Sequence, residues 1–273
     1  MLLTRGSTLR AFMFGTLVTL PAAAEWEGYE KLTREQVVAA VEQSSPKAPA
    51  NLYSKNLSNL DLSGVDFRGA NLSASVFNGA KLANAKLDQC NLTVSFMEGA
   101  QLPEASLRGA VMFSIQLAGS NLSNANLSGG RLIGDLRKAN LSDATLTHMN
   151  AAADMRNQSM GLMRANLPYA TLTGADLSDS DFSRADFSFA DLSDARLLRT
   201  KLYRADFSGA RLIGADLTGA DLRDAQLIDT DFTRANLTDV DFTGATFRGV
   251  QGLDSATTTG AKGLPETLTR AAP

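Results

Sequence analysis

The sequence predicts a solenoid of stacked coils, on three observations. Leucine or phenylalanine returns every fifth residue without a break from Leu167 to Phe247, and Leu162 stands in the same phase. A small residue stands two positions earlier each time, as in Ala165, Ala170, Ala175, Ser180, Ala185 and Ala190. Asp or Asn commonly precedes the central residue, and Ser or Thr often follows it. A step of five drifts by about 140° around an α-helix, so no apolar stripe would persist there. In a flat strand an odd step sends the side chain to the opposite face. A backbone that turns about once per five residues keeps every fifth side chain inside, and repetition makes a coil that can stack on itself.

The units read A-D-L-S-D at 175–179, A-D-L-T-G at 215–219, A-D-L-R-D at 220–224 and A-N-L-T-D at 235–239. Dozens of such units in phase, from about Leu57 to Phe247, resemble the pentapeptide-repeat family, whose consensus is A-(D/N)-L-x-x. The resemblance implies an all-β fold, a right-handed quadrilateral parallel β-helix with four pentads per coil. It implies no single activity, because that fold hosts several. The physical chemistry agrees: the central Leu or Phe fills the axis, each contributing on the order of 2 kcal/mol. Residues on either side of it point outward and can form ladders between coils at about 4.8 Å.

Residues 1–24 read as an export signal. Arg5 and Arg10 precede the apolar run Ala11–Leu20, and Pro21-Ala22-Ala23-Ala24 supplies small residues for cleavage after Ala24. The run is too short to span a bilayer comfortably, and no later stretch is apolar enough to do so. The expected location is therefore periplasmic or secreted.

Residues 25–50 lack the repeat and are expected to form an N-terminal capping helix and linker. Thr33-Arg34-Glu35-Gln36 reads as a capping box, flanked by Leu32 and Val37 at hydrophobic-staple spacing. The helix is expected to end near Gln43. Ser44 to Pro49, with Pro46 and Pro49, reads as linker. Such a helix would block the apolar end and open edges of a first coil.

The β-helix is expected over residues 51–250. Its first block holds phase from about Leu57 to Leu132, with Met97 and Met112 at central positions and Ile115 at a small one. The step from Leu132 to Leu136 is four, and 147–161 departs from the pattern. From Leu132 to Leu162 the distance is again a multiple of five, so one continuous tube with a bulged or loosely wound coil is predicted. Residues 251–273 form a C-terminal tail, with a turn of helix expected over Leu264–Leu268.

Composition and motifs narrow the chemistry. The net charge of −3 announces neither a nucleic-acid partner nor a strong DNA mimic. Cys90 is the only cysteine and falls at a small inward position, which excludes an intramolecular disulfide and predicts a buried thiol. His148 is the only histidine. No nucleophile motif, zinc-ligand spacing, phosphate loop or calcium nonapeptide is present, so no catalytic residue, metal site or cofactor is predicted.

With twenty residues per coil, Arg164, Arg184 and Arg204 stack on one corner and Tyr169 and Phe189 on the next. Together they are the candidate partner-binding patch. Asp186 and Asp206 lie near enough to neutralise the arginines, which would instead make a solvated face. Asp176, Asp181, Asp191, Asp216, Asp221, Asp231 and Asp241 make the C-terminal block the more acidic.

These readings predict an exported, non-enzymatic scaffold presenting flat faces to a protein partner in the cell envelope, as a monomer or end-to-end dimer. The alternative is a gyrase-protecting DNA mimic, as some members of the resembled family are. The export signal and weak net charge oppose it. A secreted effector acting on host membranes or motors is a third reading.

Overall fold

The computed structural model describes residues 26–154 and 163–265. The expected signal at 1–24, positions 155–161 of the irregular stretch and the tail beyond 265, with the helical turn expected through Leu268, lie outside the described residues.

The chain winds as a right-handed, four-sided parallel β-helix. Asn51 pairs with Asn71, Asn56 with Val76, Asp61 with Lys81 and Asp66 with Lys86, all parallel and twenty residues apart. These four columns define faces A, B, C and D in chain order. Each pentad contributes one short extended segment and one corner. On face A, the Leu52 N–H donates to the Asn71 carbonyl at 2.8 Å and the Asn71 N–H to the Ala50 carbonyl at 2.9 Å. Coil-to-coil hydrogen bonding thus replaces the usual sheet ladder. At the corner the Ala70 N–H donates to the Phe67 carbonyl at 2.8 Å, closing a four-residue turn. The third turn residue, Gly69, has φ 73°, as a type II turn requires.

Core filling follows from this winding. Leu177, Phe182, Phe187 and Leu192 are fully buried along the axis. Phe187 and Phe207 stack with centroids 5.1 Å apart. The small inward position admits polar atoms only where a carbonyl receives them. Ser95 Oγ donates to Leu72 O at 2.8 Å, Thr200 Oγ1 to Leu177 O at 3.0 Å, Thr230 Oγ1 to Phe207 O at 2.9 Å and Cys90 Sγ to Phe67 O at 3.0 Å. Burying those groups unpaired would cost roughly 1–3 kcal/mol each.

The N-terminal end is closed by β1 (Glu30–Lys31) and α1 (Arg34–Glu42). β1 lies parallel to β2 (Lys55–Asn56), and the Leu32 N–H donates to Asn56 O at 3.2 Å. The capping box is present: Gln36 N–H donates to Thr33 Oγ1 at 3.4 Å and Thr33 N–H to Gln36 Oε1 at 2.8 Å. Leu32 and Val37, the staple pair, are both buried. Further out, the Trp26 ring packs on Phe96 at 4.8 Å, against face B.

Three departures break the twenty-residue rule, the last of them a one-residue gain near the far end that pairs Asn236 with Thr257 and Asp241 with Lys262. β3 (Val111–Gln116) pairs with β4 (Arg131–Asp135) so that Phe113 meets Ile133 and Ile115 meets Gly134, leaving Ser114 bulged. One residue is lost there, and the next rungs are Asn121–Asn140 and Arg131–Asn150. Ile115, too large for its inward position, is accommodated because its partner Gly134 has no side chain. The following coil pairs Asn140 with Thr171, Thr145 with Asp176 and Asn150 with Asp181, a spacing of 31. The wall's coil-to-coil hydrogen bonds run as far as Ala153 and resume at Arg164, which β4 meets beside β5 (Ala165–Asn166). The Asp154 N–H donates to Met163 O at 2.8 Å across the neck. The far end carries β6 (Gln226–Ile228) and β7 (Thr246–Arg248), again twenty apart. The winding passes the boundary expected at 250, because Gln251, Thr257 and Lys262 still pair with Asp231, Asn236 and Asp241.

Candidate binding surface

Corners decide which side chains reach solvent. At most described corners the third turn residue takes a left-handed φ, where glycine is at ease and other residues incur about 1–2 kcal/mol. Tyr169 (φ 59°), Arg184 (φ 64°), Phe189 (φ 57°) and Arg204 (φ 56°) all occupy it. Their side chains therefore stand off the rod. Arg184 and Arg204 lie on the corner between faces A and B. Tyr169 and Phe189 lie on the corner between B and C.

The sequence-predicted patch is assembled as two ladders flanking face B. Tyr169 and Phe189 stack with centroids 5.0 Å apart and planes 7° from parallel, and each is more than half exposed. Phe189 lies over Gly209, where a Cβ would meet its ring at 2.5 Å. Arg164 donates to Asp186 at 2.7 Å. The expected second pairing does not form: Arg204 reaches Asp224 at 3.2 Å, while Asp206 accepts from Ser208 N and Oγ at 2.9 and 2.6 Å. The reason is Tyr203, which the sequence reading missed. Its ring holds the Arg184 guanidinium at 5.9 Å and that of Arg204 at 5.1 Å. Its position beside Arg204, nineteen residues after Arg184, was the available signal.

Four further cations in this block are answered coil to coil. Arg196, Arg199, Lys201 and Arg211 approach Asp176, Asp179, Asp181 and Asp191 at 3.8, 2.7, 3.8 and 3.3 Å, each twenty residues earlier. The Arg199 fork, with Nε to Oδ1 and Nη2 to Oδ2 both at 2.7 Å, holds the Asp179 carboxyl below its ordinary range. Arg223 does the same to Asp221.

Cys90 is buried, and burial pushes its thiol up to about 12, which keeps it from acting as a thiolate nucleophile near neutrality. His148 sits at a corner with φ 54°, at the edge of an open groove between α1 and the corner carrying Gly69, Gly109 and Gly129. Among the described residues no three His, Cys, Asp or Glu side chains are placed to hold a metal ion, and no helix is long and apolar enough to cross a membrane.

The sequence pattern of the pentapeptide repeats matches in eight copies, over residues 56–93, 97–129, 115–151, 162–197, 180–219 and 210–249. The chain belongs to the pentapeptide-repeat family. Among solved pentapeptide-repeat structures it is similar to HetL of the cyanobacterium Nostoc, a protein involved in heterocyst differentiation regulation. The two are 32% identical over 77% of this chain and 86% of HetL, with a TM-score of 0.38. Rfr23 from the cyanobacterium Cyanothece is 27% identical over 46% of this chain and 88% of Rfr23, TM-score 0.38. QnrB1, a plasmid-mediated fluoroquinolone resistance protein, is 16% identical over 78% of this chain and 95% of QnrB1, TM-score 0.31. No curated protein matches this pentapeptide-repeat chain.

Proposed function

We propose that this pentapeptide-repeat protein is an exported, non-enzymatic scaffold that binds a macromolecular partner in the cell envelope. One observation carries the binding role. Backbone groups of each coil are paired to the coils above and below. The faces therefore offer only side chains, on a frame that loses little conformational freedom when a partner docks. Two half-exposed aromatic rings and two arginines gathered by a tyrosine are the residue types that dominate protein interfaces. The charge pattern and apolar run of residues 1–24 support export.

Fusing residues 1–30 to a reporter active only outside the cytoplasm tests the location. Activity, with the native protein in the soluble envelope fraction, is expected. A silent reporter and an intact N-terminus would overturn export and return the topoisomerase reading to the lead.

A further inference from the structure

We propose that face B, between its two corners, is the docking surface for a protein segment that carries a carboxylate beside an aromatic side chain. The proposal rests on the scaffold reading and names which side of the rod binds, and what it binds.

Apolar exposure on this rod is one-sided. Tyr53, Val94, Val111, Tyr169 and Phe189 are the exposed large apolar side chains among the described residues. Tyr53 and Val94 stand on the A–B corner and Tyr169 and Phe189 on the B–C corner; Val111 alone is on face A. Each face is one pentad wide, so these corners lie ~10 Å apart, within the reach of a single extended segment.

The charge on this side is also uneven. Asp186 answers Arg164, and Asp224 answers Arg204. Arg184 has no carboxylate partner among the described residues and is held over Tyr203. Lys138, exposed on the B–C corner one rung from Tyr169, has none either. On the floor between them Asp135 is taken by Arg137 and Asp186 by Arg164, and Asp206, one rung beyond, is occupied by Ser208. An unanswered cation thus stands on each edge of face B, beside aromatic rings whose outer edges are open. A carboxylate seated on Arg184 or Lys138, with an aromatic ring against Tyr169 and Phe189, satisfies both features.

A nucleic acid fits less well. A few unanswered cations among aspartates cannot neutralise a run of phosphates, and the net charge of −3 opposes approach. Added strands are also unsuited, because the rungs of face B have no free edge along their length.

Panning a random-peptide display library over the purified full chain tests this. The expected peptides place Asp or Glu within a few residues of Phe, Tyr or Trp. Their affinity should fall roughly tenfold on Arg184→Glu, and as much on Tyr169→Ser with Phe189→Ser. It should hold on Arg68→Glu, on the corner between faces D and A, diagonally across from Tyr169 and Phe189. If Arg184→Glu does not fold, Lys138→Glu reads the same cation requirement. Basic peptides, no enriched peptides, or peptides bound equally by every variant would overturn the proposal. So would duplex DNA or anionic vesicles binding in place of peptides and being lost with Arg184→Glu. Peptide binding is measured without regard to compartment, so its failure leaves the export test standing, and the reverse holds too.

Discussion

A Cβ on Gly134 would lie 2.1 Å from the Ile115 carbonyl oxygen and 2.8 Å from its nitrogen. Both are backbone atoms, and both belong to the rung that stacks on Gly134. Gly134→Ala is therefore expected to destabilise the protein by at least about 2 kcal/mol, or to stop it folding. Gly99→Ala makes the useful contrast, since nothing lies within 4 Å of the added carbon and only the left-handed corner (φ 65°) resists it. Its cost should be roughly 1 kcal/mol. Urea midpoints of the two variants decide the matter; equal midpoints would contradict the account of the shortened coil. At this scale the sequence was partly legible. The four-residue step from Leu132 to Leu136 marks where a residue is missing. That Gly134 and the oversized Ile115 are partners depends on which rungs stack, which one chain read alone does not display.

Among the elements, α1 was the most readable. Thr33 and Gln36 announce the capping box by their spacing, and Leu32 and Val37 the staple, because these are local contacts within one turn. Thr33→Ala is expected to cost about 1 kcal/mol, seen as a lowered thermal midpoint. An unchanged midpoint would mean that the cap is held by β1 and the Trp26–Phe96 contact alone. The pentads were readable for a similar reason, since the inward Leu and Phe and the small residue two before it are fixed by one corner. What escaped is the contact between coils. Twenty-residue stacking put Arg164, Arg184 and Arg204 in one column, but the side chains chose Asp186, Tyr203 and Asp224, one of which had been anticipated.

For the whole molecule, aspartates are the shared currency of the surface ladders. Hydrogen bonds from Arg68, Arg223 and Thr243 hold Asp66, Asp221 and Asp241 below the ordinary carboxylate range. Unfolded, these groups take up protons near pH 4 or so. On acidification the unfolded chain therefore binds protons first. The stabilisation is complete above that value and is lost as pH falls through the lower folded-state values. A urea midpoint that is flat from neutral pH to about 5 and declines below about 4 is expected. A decline already between neutrality and 5 would point to other groups. The long coil bears on the rod's geometry in a different way. Counted along the chain, the lost residue and the eleven gained add two pentads, half a turn of a four-sided rod. Yet Asn140 still stacks on Thr171, and Lys138 leads to Tyr169, because Asp154 and Met163 pair across a neck that lets the wall resume in place. Length changes in such a protein are therefore rotations. A natural duplication or engineered graft of one pentad would swing everything beyond it through a quarter turn and aim its faces elsewhere. Twenty residues, or a loop pinched off at a corner, would lengthen the chain and leave its compass bearing unchanged.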